Sequence, residues 1–292
     1  MDKNSGESIS QLLKKHGFSF SKSKGQNFLI DSNIPEKIVK KAEIDGSCGV
    51  LEIGPGIGAL TAELGKKAAY VTAVELDTRL LPILSETLAK YPNVEIVQGD
   101  ILKLDIAKLC KEKMPDTRLC VCANLPYNIT TPAITALIDA NIFESITVMV
   151  QREVARRVCS RPGTADYGAF TVYANYHAEC EILFDVPPQC FMPRPKVFSS
   201  VIRLKIKSPK MLEEDFEEMF FRVTRAAFSQ RRKTLVNALL STFSQKLSKD
   251  EVINLIKDSG LDTLVRGEAL KIEDFVNVSG LFKMRIDEKE KL

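Results

Sequence analysis

From Gly49 onward the chain alternates short apolar runs with longer amphipathic stretches. The runs of strand length are residues 50–53, 70–74, 94–97, 119–123 and 146–150, and helix-length stretches lie between them at 59–67, 78–90, 132–140 and 153–160. Strands alternating with helices predict βαβ units and a parallel sheet covered on both faces. The unbroken apolar run 119–123 fits a strand buried on both sides. Residues 167–177 repeat apolar positions at helical spacing (Phe170, Tyr173, Ala174, His177). Two later strands, 181–186 and 201–206, follow one another through a Pro-rich loop and read as an antiparallel edge pair.

The pattern changes near Lys207. Beyond it strand signal is sparse and helical periodicity dominates. Glu213, Glu214, Asp215, Glu217 and Glu218 make an acidic helix start, which suits the helix dipole. Residues 219–249 then hold seven Lys or Arg and no acid. The pattern predicts three parts: a flexible or weakly helical basic arm over 1–24, an α/β domain over 25–207 and a small all-α domain over 208–292.

Composition adds bounds. A 292-residue chain with 45% hydrophobic and 27% charged residues is ordinary globular usage, long enough to bury a core without disulfides or metal. The seven cysteines are odd in number, lack a Cys-x-x-Cys pair and mostly sit in apolar runs. They read as reduced, buried thiols of a cytoplasmic protein. With only His16 and His177 as histidines, no zinc site is expected. No stretch has the length of a membrane span. The net charge of +3 says little about partners until its distribution is considered.

Three strand ends carry candidate ligand-binding residues. Glu52-Ile53-Gly54-Pro55-Gly56-Ile57-Gly58 follows the first strand and opens a helix. Glycines there allow a tight turn and a close backbone approach to a ligand, although nucleotide and dinucleotide sites share this motif. Glu75 ends the second strand, 21 residues beyond Gly54, where a carboxylate accepts from ribose hydroxyls. Asp100 ends the third strand, placed to accept from an exocyclic adenine amine. Singly, each acid also reads as a helix N-cap. Jointly, at successive strand ends, they favour a ligand.

The fourth strand runs into Asn124-Leu125-Pro126-Tyr127. An exocyclic adenine amine is a poor nucleophile, because its lone pair is delocalised into the ring. The Asn124 side-chain oxygen and a neighbouring backbone carbonyl, assigned to Leu125, would each accept one N–H. They would stabilise the positive charge that develops during methyl attack. Tyr127 offers a stacking face, and Pro126 stiffens the turn. No strong general base is needed.

These motifs together resemble the S-adenosylmethionine-dependent rRNA adenine N6-dimethyltransferases. Lys24-Gly25-Gln26-Asn27-Phe28-Leu29 is similar to that family's N-terminal cofactor-covering segment. Phe191-Met192-Pro193-Arg194-Pro195-Lys196-Val197 is similar to its Pro-rich loop, and Ala227-Phe228-Ser229-Gln230-Arg231-Arg232-Lys233-Thr234-Leu235 to its C-terminal helical domain. The resemblance runs from about residue 20 to 285. It implies a Rossmann-like class I methyltransferase domain with a helical rRNA-binding domain. It further implies dimethylation of two adjacent adenosines in the 3′-terminal hairpin of 16S rRNA, within the assembling 30S subunit, by a monomer. It assigns Gln26, Asn27, Leu29, Gly54, Gly56, Glu75, Leu76, Asp100, Ile101 and Asn124 to the cofactor, and Asn124, Leu125, Pro126, Tyr127 and Phe191 to the reaction, with Tyr127 and Phe191 holding the base from its two faces. Phe198 departs from the pattern, since the family more often has Asp there. Arg194 stands where many members have a small residue or proline.

Charge position then matters. Lys22 and Lys24, Arg152, Arg156 and Arg157, and Arg222, Arg225, Arg231, Arg232 and Lys233 are candidate contacts to rRNA phosphates. Three rival readings remain at this level. An Erm-type large-subunit rRNA methyltransferase shares the chemistry. A nicotinamide-dependent oxidoreductase shares the glycine loop and Glu75. A non-catalytic ribosome-assembly factor shares the fold.

Overall fold

The computed structural model describes residues 6–20, 26–207 and 212–291. Its main sheet has seven strands: β2 (Cys48–Ile53), β3 (Tyr70–Glu75), β4 (Val94–Gln98), β5 (Arg118–Asn124), β6 (Ser145–Gln151), β7 (Ala178–Val186) and β9 (Ser199–Ile206). They lie in the order β4-β3-β2-β5-β6-β9-β7. The first five are mutually parallel. β2 and the Cys120–Ala123 stretch of β5 are buried throughout, as uninterrupted apolar runs require of central parallel strands. The chain direction of strand succession reverses between β2 and β5, so a crevice opens beyond their carboxyl ends.

The helices α3 (Ala59–Gly65), α4 (Leu81–Leu88), α5 (Ile106–Lys113) and α6 (Thr130–Asp139) connect these parallel strands, and α7 (Arg152–Val158) follows β6. A short helix α2 (Asn33–Lys41) precedes β2; it buries Ile38 and Val39 in a cluster that also contains Leu64 of α3 and Cys120 of β5. The two late strands are neighbours at one end of the sheet, as the sequence suggests; β9 pairs antiparallel with β6 and lies between β6 and β7, so β7 is the edge strand on that side. A separate two-stranded antiparallel ribbon also forms from β1 (Phe28–Leu29) and β8 (Phe191–Met192), pairing Phe28 with Met192 and Leu29 with Phe191.

In the N-terminal arm, read as flexible or weakly helical, Gly6–Lys15 is an α-helix, α1. Ile9 and Leu13 are buried in a cluster with Phe28, Ile57, Leu80 and Leu84, which gives the segment a packing reason to hold its shape. Lys22 and Lys24 lie outside the described residues.

The chain divides into two compact units, Met1–Ala155 with Glu179–Ile206, and Arg156–Ala178 with Lys207–Leu292. The second unit contains α8 (Ala169–His177), α9 (Glu214–Ser229), α10 (Leu235–Phe243), α11 (Lys249–Asp258) and α12 (Ile272–Glu290). A boundary at 207 would give 156–178 to the first domain. Instead Tyr167, Val172 and Tyr176 bury in one core with Phe220, Leu239, Phe275 and Phe282, and the Tyr167 hydroxyl donates to the Leu270 carbonyl at 2.8 Å.

Candidate active site

The crevice at the strand ends is an open cleft, with about 1120 Å³ of space between its walls when the solvent at its mouth is included. The first wall is the glycine loop. Gly54, Gly56 and Gly58 have φ of +66°, +61° and +86°, left-handed backbone that glycine adopts without strain. A Cβ on Gly56 would sit 3.0 Å from the Phe28 ring, and one on Gly54 would be 3.5 Å from Pro126. The loop thus packs tightly against the Phe28 ring at Gly56 and lies at ordinary contact distance from Pro126 at Gly54.

Glu75 closes the second strand. It is buried and takes the Asp77 N–H on Oε1 at 2.7 Å; burial holds its carboxyl above the ordinary range despite that bond. Leu76 beside it is 57% exposed and borders the cleft, leaving an apolar side chain for a ligand to cover. Asp100 and the buried Ile101 line the third strand end, with Asp100 Oδ1 accepting the Leu102 N–H at 3.1 Å.

At the fourth strand end Asn124 Nδ2 donates to the Asn27 carbonyl at 3.2 Å. This fixes the side-chain amide with Oδ1 as its acceptor end. Tyr127 opens a short 3₁₀ turn, Tyr127–Ile129. Its hydroxyl shares a 2.7 Å hydrogen bond with Ser199 Oγ, which holds the ring from its far end. Gln26, Asn27, Leu29, Gly54, Gly56, Glu75, Leu76, Asp100, Ile101 and Asn124 through Tyr127 all border this one cleft.

Phe191 does not. It is 3% exposed and packs in the core with Val186, Cys190 and Val201, so its ring is not available to hold a base. A phenylalanine in a two-residue strand has no alternation to show which face it takes, so its motif position could not reveal the burial.

Two further acids line the cleft: Glu52, which sequence reasoning placed with the glycine loop but gave no role, and Asp77, which it did not name. Glu52 is buried and its Oε2 has no protein partner. Burial, reinforced by the charge of Glu75, pushes its carboxyl up to about 8. Asp77 accepts from Gln26 Nε2 at 2.8 Å and from Arg79 Nη2 at 2.6 Å and Nε at 2.9 Å, so it ties the Gln26 end of the cleft to the β3 end. Its place two residues after Glu75, before a helical turn, was the signal available.

The cleft fits S-adenosylmethionine on its own features. It offers buried carboxylates for hydroxyl and ammonium donors, an orphaned acceptor on Glu52, and an apolar lining from Ile53, Ile57, Leu60 and Leu80.

Of the candidate phosphate contacts, Arg156, Arg157, Arg225, Arg232 and Lys233 are exposed. Arg222 lies over the Phe243 ring at 4.7 Å. Arg231 donates to the carbonyls of Ala165 and Tyr167 at 2.6 and 3.2 Å, which gives it a structural task within the second unit.

A doubly wound parallel sheet with an antiparallel strand inserted beside β7, and a glycine loop and acids at successive strand ends, define a Rossmann-like methyltransferase. Comparison with known proteins narrows this: the profile described as ribosomal RNA adenine dimethylase matches residues 17–283, and the chain belongs to that family. It is 48% identical over 283 residues to a protein from Listeria monocytogenes serotype 4b named ribosomal RNA small subunit methyltransferase A, with 96% of each chain covered. A protein of the same name from Alkaliphilus oremlandii is 46% identical, with 91% of this chain and 92% of that one covered. Among solved structures, a dimethyladenosine transferase from Plasmodium falciparum superposes with a TM-score of 0.76 at 26% identity, covering 88% of this chain and 98% of that one. The 23S rRNA methyltransferase ErmE does so with 0.68 at 28%, covering 88% and 100%. The protein is therefore an S-adenosylmethionine-dependent rRNA adenine dimethyltransferase, and the nicotinamide-oxidoreductase reading falls away. None of the seven cysteines forms a disulfide and five of them are buried, and no described helix is long and apolar enough to cross a membrane.

Proposed function

We propose that this chain dimethylates N6 of two adjacent adenosines in the loop of the 3′-terminal hairpin of 16S rRNA, within an assembling 30S particle, acting as a cytoplasmic monomer. The observation that carries the reaction is the held amide of Asn124 at the end of β5, between the glycine loop and Tyr127. The small-subunit assignment is supported by relatives of that name at 46–48% identity over more than nine-tenths of the chain. Those values exceed the 28% shared with the large-subunit enzyme ErmE.

Gln26, Asn27, Leu29, Gly54, Gly56, Glu75, Leu76, Asp100 and Ile101 would hold the cofactor. When bound, S-adenosylmethionine supplies an activated methyl group to an amine on the target base. The chain's own contribution is then to bind and polarise that base. Tyr127, tethered through its hydroxyl, presents a ring face for the adenine; the tether limits ring motion, so little entropy is lost on stacking. Asn124 Oδ1 and the Leu125 carbonyl each accept one N6 hydrogen. They direct the nitrogen lone pair away from the ring system and stabilise the charge that forms on nitrogen as the C–N bond is made. Pro126 fixes the direction of the Leu125 carbonyl. No histidine borders the cleft. The N6 proton lost after transfer leaves to solvent, since a methylated anilinium-like nitrogen is acidic enough to need no strong base.

A loop adenosine is cheaper to extract from its stack than a paired one, which favours a hairpin loop as target. The exposed basic residues Arg156, Arg157, Arg225, Arg232 and Lys233, together with Lys22, Lys24, Arg152, Arg222 and Arg231, are proposed to meet rRNA phosphates. Primer extension on small-subunit rRNA from cells with and without the active protein tests the whole reading. Reverse transcriptase should stop at two neighbouring adenosines near the 3′ end only when the protein is active. Stops in large-subunit rRNA instead would establish the Erm-type reading. No protein-dependent stop in either RNA would favour the non-catalytic assembly role.

A further inference from the structure

Phe198 stands immediately before β9, and its placement gives it a use. It is 40% exposed, while Ser199 and Ser200, the next two residues, are completely buried. The guanidinium of Arg152 lies over its ring, with Cζ 4.6 Å from the centroid. The Arg152 N–H donates to the Phe198 carbonyl at 3.0 Å, so the backbone itself fixes ring and guanidinium as a pair. Ser199, one residue on, holds the Tyr127 hydroxyl. Thus a single peptide links the tether of the proposed base-holding ring to a second, outward aromatic surface.

An aromatic ring paired with an arginine plane is a surface on which single-stranded bases stack, with the guanidinium available to phosphate. A base drawn out of its stack leaves its neighbour without a stacking partner. That neighbour is covalently one phosphate away from the extracted nucleotide. We propose that Phe198 and Arg152 receive the unpaired nucleotide flanking the target adenosine. Its base stacks on the Phe198 ring and its phosphate is met by Arg152. Phe198 is then a substrate-positioning residue, where an aspartate would repel the RNA backbone. The proposal rests on the RNA-methylating reading of the adjoining cleft.

The test is binding of a synthetic RNA hairpin carrying the small-subunit 3′-terminal loop, made intact or with an abasic nucleotide at either flank of the target adenosine. Wild-type protein should bind the hairpin abasic at one flank about tenfold more weakly than the intact one, within the range of base–aromatic stacking. Phe198→Ala should bind intact RNA about tenfold more weakly and be indifferent to the abasic site. Phe198→Tyr should restore sensitivity to it, and Phe198→Asp should not. This coupling is what a merely structural role would not produce. Full abasic sensitivity in Phe198→Ala, or wild-type indifference at both flanks, would overturn the stacking. Methyl transfer by the wild-type protein to 30S particles carrying unmethylated small-subunit rRNA is measured alongside. If transfer occurs without flank coupling, only this proposal fails; if there is no transfer at all, the reading of the cleft fails with it.

Discussion

Replacing Asn124 by alanine separates chemistry from binding. The substitution removes two things. One is the Nδ2 bond to the Asn27 carbonyl, which at 3.2 Å and half-buried is an ordinary neutral hydrogen bond worth about 1 kcal/mol. For a unit of this size that corresponds to a fall in Tm of roughly 2–4 °C. The other is the Oδ1 acceptor, whose partner exists only when the target amine is present. Removing one preorganised group of this kind costs about 10²–10³ in kcat, or roughly 2.7–4 kcal/mol of transition-state stabilisation. Cofactor affinity should fall by no more than about tenfold, because the glycine loop, Glu75 and Asp100 are untouched and one neutral contact is lost. Calorimetric titration with S-adenosylmethionine reads the affinity. Single-turnover transfer at saturating RNA and cofactor reads the chemical step. A rate within about threefold of wild type would refute the role given to the amide, and so would a loss traceable entirely to cofactor binding.

Glu52 predicts a pH signature in the cofactor-free protein. Its folded value of about 8 stands above the ordinary 4.5, so the native state keeps a proton that the unfolded chain releases. The stability due to this group is complete below about pH 4.5 and is lost as pH rises towards 8. Glu52→Gln has no such loss, so its Tm advantage over wild type should widen from pH 5 to pH 8 and level off above; a constant difference refutes the shift. Phe191→Ala should cost about 3–5 kcal/mol of stability as a buried-aromatic truncation, whereas exposed Phe198→Ala should cost under about 0.5. Thermal denaturation distinguishes them, and an unchanged Tm with lost activity in Phe191→Ala would return that ring to the base-holding role. Neutralising Arg232 and Lys233 together should weaken rRNA binding and make its logarithmic salt slope shallower by about 1–2; unchanged affinity and slope would remove them from the phosphate contacts.

Much of the site was legible because its residues sit at places that local pattern defines. A strand is followed by a loop, and the loop holds Gly54, Glu75, Asp100 or Asn124. In a parallel sheet all such carboxyl ends face the same edge, so four separate motifs become one cleft once the strands are parallel. The apolar run ending at Ala123 announced its own central position, since a strand with no polar face has nowhere to be but inside.

What tertiary structure alone decided was which segments meet. Periodicity records how one segment divides its own apolar and polar faces, and contains nothing about the partner that will cover them. Hence β9 passing between β6 and β7 was hidden, as was the pairing of Leu29 with Phe191 that buries the ring. The grouping of 156–178 with the C-terminal helices depends on Tyr167, Val172 and Tyr176 finding a core more than forty residues away. The same holds for the bond from Gln26 to Asp77, which joins residues that no spacing rule connects. The sequence by itself determined the chemistry offered at each strand end, because backbone geometry and side-chain type are local. The fold decided which aromatic rings face the cleft, because burial is a property of the assembled neighbours.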